Sequence, residues 1–96
     1  MNNYEAVFIF NPEITEEKFD KEVKNLEKTI KTHGKGDVVF SNLGKKSLAY
    51  RVKKFNEGIF VNFQFTGLPL SVAKIKKALK HRESVIRMII ILKGRE

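Results

Sequence analysis

Residues 43–66 carry two strand-length patterns back to back, and no other stretch restricts the fold as tightly. Ile59, Val61, Phe63 and Phe65 alternate with Phe60, Asn62 and Gln64, the two-residue period of a strand with one face in a core. Ahead of them runs Leu43-Gly44-Lys45-Lys46-Ser47-Leu48-Ala49-Tyr50-Arg51-Val52-Lys53-Lys54-Phe55, basic residues threaded through an apolar strand pattern. Asn56-Glu57-Gly58 between the two is a turn signal, so the pair is predicted to form an antiparallel hairpin. A hairpin alone is marginal in water, and the rest of the chain must supply strands or helices to cover it.

Those elements are readable on both sides. Tyr4 to Phe10 is a strand stopped by Asn11-Pro12. Thr15 is placed to cap a helix whose first turn holds Glu16 and Glu17, and Phe19, Val23, Leu26 and Ile30 form its apolar stripe up to His33-Gly34. Gly67-Leu68-Pro69 breaks the alternating strand, Ser71 is expected to cap a second helix carrying Val72, Ile75 and Leu79, and Val85 to Leu92 is a final apolar strand. The order β-α-β-β-α-β, with right-handed crossovers, predicts an α+β, ferredoxin-like fold: a four-stranded antiparallel sheet with both helices on one face. All 96 residues are expected to form a single domain, long enough to bury a core without staples. With no Cys there is neither a disulfide framework nor thiolate chemistry, and with no signal peptide or bilayer-length apolar run the chain is expected to be cytoplasmic.

Helices on one side leave the other side of the sheet open. Alternation puts Ala6, Phe8 and Phe10 inward and Glu5, Val7, Ile9 and Phe60 outward; placing Ile86, Met88, Ile90 and Leu92 inward sends Arg87, Ile89 and Ile91 outward. Val7, Ile9, Phe60, Ile89 and Ile91 would then form an exposed apolar patch, the usual mark of a protein interface.

Charge is distributed unevenly. Residues 1–30 sum to −3 and residues 31–96 to +11, within a net charge of +8. Lys45, Lys46, Arg51, Lys53 and Lys54 lie on the hairpin, while Lys80, Arg82 and Arg87 straddle the end of the second helix and the start of the last strand. A fixed array of cations suits the phosphates and 2′-hydroxyls of helical RNA, whose deep major groove side chains cannot read. Lys45 and Lys46 also have a purely structural reading, since lysine on an edge strand discourages sheet-to-sheet aggregation. Tyr4 and Tyr50 read as half-buried tyrosines with the hydroxyl at the rim. First-helix Lys18, Lys21, Lys24 and Lys28 are interleaved with Glu17, Glu22 and Glu27 and are expected to be locally neutralised.

Base stacking on the sheet is poorly supported, because the segment before Phe60-Val61-Asn62-Phe63 lacks the basic residue, first glycine and small residue of an RNA recognition motif. Catalysis is not expected. His33 and His81 sit near helix ends without a carboxylate pair, Gly34-Lys35-Gly36 lacks the ending of a phosphate loop, and no metal-ligand or cofactor-binding spacing occurs.

The run Gly44-Lys45-Lys46-Ser47-Leu48-Ala49-Tyr50-Arg51-Val52-Lys53-Lys54, with Tyr4-Glu5 near the start and Val85-Ile86-Arg87 near the end, resembles the bacterial small-subunit ribosomal protein S-six family over essentially the whole chain. What the resemblance implies is a ferredoxin-like, rRNA-binding structural protein of the small ribosomal subunit. Its partners would be the central domain of small-subunit ribosomal RNA and ribosomal protein S-eighteen, the latter accounting for the apolar open face. The alternative from another class is a regulatory domain that self-associates through that face.

Overall fold

The alternating segment is a central strand of the sheet. The computed structural model describes residues 1–80 and 82–95, with the backbone alone at Arg95; His81 and Glu96 lie outside the described residues. The elements are β1 (Asn2–Phe10), α1 (Glu16–His33), β2 (Lys35–Val52), β3 (Phe55–Gly67), α2 (Pro69–Ala78) and β4 (Val85–Arg95). They build a four-stranded sheet in the order β2-β3-β1-β4 with every pairing antiparallel, the ferredoxin-like arrangement expected. No helix among the described residues is long and apolar enough to cross a membrane.

One face of β1 and β3 and the stripes of both helices close the core. Ala6, Phe8, Phe10, Val61 and Phe63 from the central strands, with Leu26, Ile30 and Ile75 from the helices, are fully buried. Phe8 meets Phe63 edge-on with ring centroids 5.8 Å apart, and Phe10 meets Phe19 at 5.2 Å. Burying each such side chain contributes about 1.5–3 kcal/mol, so the pattern of large residues at alternate positions dictates which face turns inward. Tyr4 belongs to this core, stacked on Phe65 at 5.5 Å, with its hydroxyl accepting from Asn2 Nδ2 at 3.1 Å. α1 starts as its sequence predicts: Thr15 Oγ1 accepts from the Lys18 N–H at 3.3 Å.

Three local expectations are corrected. The second helix is capped by the backbone of Leu68, with Pro69 in its first turn, and Ser71 sits one turn in, its hydroxyl accepting from the Leu68 N–H at 3.4 Å. Proline lacks the amide that a first-turn position leaves unpaired anyway, which moves the start forward from Ser71. Leu92 keeps the inward face, opposite Tyr4, but is 43% exposed rather than buried, because β4 is an edge strand and Leu92 lies near its end. The hairpin turn is Lys53-Lys54, closed by Val52 opposite Phe55, with Lys53 in the left-handed region at φ 56°. Asn56-Glu57-Gly58 is part of β3.

The displaced turn has a packing cause. A Cβ on Gly58 would stand 2.4 Å from Ile9 Cγ2 and 3.1 Å from the Phe10 carbonyl oxygen, so this glycine serves close approach to β1 and not chain reversal. The β2–β3 ladder runs down to Ser47 opposite Glu57 and resumes at Val52 opposite Phe55, leaving residues 48–51 of β2 facing Asn56 alone. Extra residues on one strand bend it and increase its twist. The bent segment reaches over the open side of the sheet: Leu48, Ala49, Tyr50 and Val52 share a concavity with Ile9, Arg87 and Ile89. Gly44, at φ 82° with no neighbour within 4 Å of its would-be Cβ, marks a second irregularity higher on β2.

Gly58→Ala is therefore expected to cost about 1–3 kcal/mol by overpacking against β1. Gly44→Ala should cost about 1–2 kcal/mol through backbone conformation alone. Urea unfolding of the two variants checks this, and a Gly58→Ala protein as stable as the parent would contradict the close packing of β3 on Ile9.

Candidate functional site

The bent hairpin changes which cations are neighbours. Lys53 at its tip lines a shallow cleft of about 320 Å³ together with Lys80 and Arg82 after α2 and Arg87 at the start of β4. These four come from three separate parts of the chain, and the fold gathers them. Arg87 is exposed, opposite Ile9 in the β1–β4 register. Arg82 is half-engaged, its guanidinium 3.7 Å from Glu22 Oε2 of α1, an oxygen that is buried with no hydrogen-bond partner. That ion pair ties the first helix to the approach of β4, alongside the Asn11 N–H donating to the Ser84 carbonyl at 2.9 Å.

The other hairpin cations do not join this cleft. Lys45 and Lys54 line a separate concavity with Glu13 and Glu57, where acids offset part of their charge. Lys46 and Arg51 are exposed. Tyr50 departs from the half-buried reading: it is 68% exposed on the bent segment. Period-two alternation hides this, because residues 48–51 no longer obey the register of the strand they interrupt.

On the open face, Val7 and Phe60 are half-buried, and Ile89 and Ile91 are 38% and 43% exposed. Ile9 is the correction. It lies on that face but is only 5% exposed, with the bent hairpin over it and Gly58 against it, so the patch a partner can reach excludes it. Val39 of β2, 56% exposed and opposite Gln64, extends the face toward the edge.

Two polar features of the site carry little sequence signal. Glu5, opposite Gln64 and Ile91, accepts a hydrogen bond from Asn62 Nδ2 at 3.0 Å, whereas Asn62 Oδ1 is buried and unpaired. The alternation puts both residues on the open side, yet it does not pair them. The Glu22–Arg82 contact likewise joins residues of no recognisable spacing; the sequence instead pairs Glu22 with first-helix lysines, of which only Lys31 forms an ion pair among the described residues, with Glu27 at 3.3 Å. No group of three or more His, Asp or Glu side chains that could hold a metal ion occurs among the described residues.

Comparisons with known proteins bear on the family and the fold. The small ribosomal subunit protein bS6 of Desulforamulus reducens is 32% identical over 94 residues, covering 98% of this chain and 99% of the relative. That of Gloeobacter violaceus is 33% identical over 88 residues, covering 92% of each. The crystal structure of 30S ribosomal protein S6 from Thermotoga maritima superimposes with a TM-score of 0.85 at 26% identity, over 96% of this chain and 87% of that one. The family model described as ribosomal protein S6 matches residues 3–92, and the chain belongs to that family.

Proposed function

We propose that this chain is a structural protein of the small ribosomal subunit that binds the central domain of small-subunit ribosomal RNA through its basic rim and docks ribosomal protein S18 on its open sheet face. The observation that carries the RNA half is the convergence of Lys53, Lys80, Arg82 and Arg87 on one cleft. Cations fixed on a hairpin tip, a helix end and a strand start present a rigid spacing to phosphates, and clustered charge gains most from counterion release. Lys46 and Arg51 extend the rim as exposed side contacts, and Lys45 and Lys54, beside Glu13 and Glu57, contribute less. Val7, Phe60, Ile89 and Ile91 supply the apolar docking surface.

Association with a central-domain RNA fragment, with the partner protein present, is expected to weaken steeply with salt, and each lost phosphate contact should lower the salt slope by about one. Arg87→Ala and Lys80→Ala should show that loss; Lys24→Ala on α1 should not. Binding isotherms at several salt concentrations decide it, and equal losses from α1 and the cleft would overturn the footprint.

Lys53 makes a sharper case, because its positive φ is a conformation that costs a non-glycine residue about 1–2 kcal/mol. Lys53→Gly relieves that strain while loosening the unfolded chain by about 0.5–1 kcal/mol, so stability should hold or rise by up to about 1.5 kcal/mol. RNA affinity should fall in the same variant. Thermal melts beside the isotherms separate the two, and unchanged affinity would remove Lys53 from the site.

Ile89→Asp should weaken docking of ribosomal protein S18 while moving the stability of the free chain by only about 0.5 kcal/mol, as expected for an exposed position. A titration calorimetry series on the free chain and the variant checks this. Undiminished docking would contradict the use of the open face.

A further inference from the structure

Glu5 is the one acid on the open face of the two central strands, β1 and β3. Its neighbours there are Asn3 and Val7 on its own strand, Gln64 and Asn62 of β3, and Ile89 and Ile91 of β4, with Lys93 beyond Ile91 in a concavity it shares with Asn3 and Gln64. No Lys or Arg of the described residues forms an ion pair with it; the ion pairs there are Lys31–Glu27 and Arg82–Glu22. Asn62, its diagonal cross-strand neighbour, donates from Nδ2 to one carboxylate oxygen at 3.0 Å. The amide cannot turn over to satisfy its carbonyl, since that would set Oδ1 against the carboxylate.

The orphaned Asn62 Oδ1 is what makes this pair informative. A buried acceptor without a partner is destabilising, and a valine at a central-strand position would remove the defect and suit the sheet better. Asparagine leaves one buried acceptor unsatisfied; what it does in exchange is hold the Glu5 carboxylate in place, with the second oxygen left over. A positioned carboxylate amid Val7, Ile89 and Ile91 repels phosphate and attracts a cation carried on an apolar surface. Such a group is more strongly attracted once docking excludes water.

We propose that Glu5, held by Asn62, is the receptor for a cationic side chain of a basic protein segment that docks on the open face. The planar two-donor edge of a guanidinium matches a carboxylate, which favours arginine over lysine. Asn62 is a positioning residue. The inference rests on the reading that this face docks ribosomal protein S18, and it names the polar contact that selects the partner within the apolar patch.

Titration calorimetry with recombinant ribosomal protein S18 tests it on the full chain, with thermal melts of each variant alone. Glu5→Gln keeps the shape and loses the charge, and should weaken docking about tenfold or more, the loss expected for a charge-assisted hydrogen bond. Asn62→Val should weaken docking severalfold while the melting temperature of the free chain holds or rises; a residue with only a structural role would not move those two readouts in opposite directions. If both variants dock like the parent while Ile89→Asp does not, the face is a docking site but the carboxylate receptor is wrong. If Ile89→Asp also docks normally, both this inference and the docking reading fall. If sedimentation shows the chain alone forming a dimer that Glu5→Gln dissolves, the occupant is a second copy and the inference is overturned.

Discussion

The mismatch between β2 and β3 below Ser47 shapes the candidate basic site of this protein. Residues 48–51 stand opposite Asn56 alone, so the edge strand cannot stay flat and swings across the open side of the sheet. Gly58 permits the approach from beneath, having no side chain to collide with Ile9. Ile9 is buried as a result, and the hairpin tip is carried to the far edge of the sheet, where Lys53 meets Lys80, Arg82 and Arg87. A regular hairpin of the same composition would leave those charges on opposite edges, since β2 and β4 flank the sheet.

Below that arch, the core is independent of it. Phe8, Phe10 and Phe63 pack against the stripes of α1 and α2 on the other face, so a close-packed core backs the sheet that carries the cations and the exposed apolar patch. For the proposed RNA contacts such backing matters because ordering long basic side chains already costs conformational entropy, and phosphate contacts gain little if the backbone must also be ordered on binding. The same separation of faces permits a polar pair such as Glu5–Asn62 in the centre of a sheet without disturbing the packing beneath it.

Strong periodicity was legible in the sequence. The alternation of Ile59 to Phe65, the α1 stripe from Phe19 to Ile30 and the Thr15 cap each appear in the structure, and together they lead to the ferredoxin-like order. What sequence reasoning mislaid were places where a local signal has two causes. Gly58 looks like a turn glycine but is a contact glycine, and Ser71 looks like a cap but supports one from inside the helix. The candidate site suffers more from this than the core. Grouping Lys53 with Arg87 and burying Ile9 depend on a bend produced by register, which no alternation pattern encodes, and pairing Glu22 with Arg82 depends on how α1 meets the segment before β4.

The arch itself is the claim on which the rest stands, and nuclear Overhauser effects between methyl groups in the free protein test it directly. Methyl-labelled chain should give cross-peaks linking Ile9 to Leu48 or Val52, the residues that share its concavity across the sheet. A spectrum in which Ile9 contacts only its sheet neighbours, with Leu48 and Val52 methyls free of any β1 or β4 partner, would contradict the arch and separate Lys53 from the other cations of the cleft.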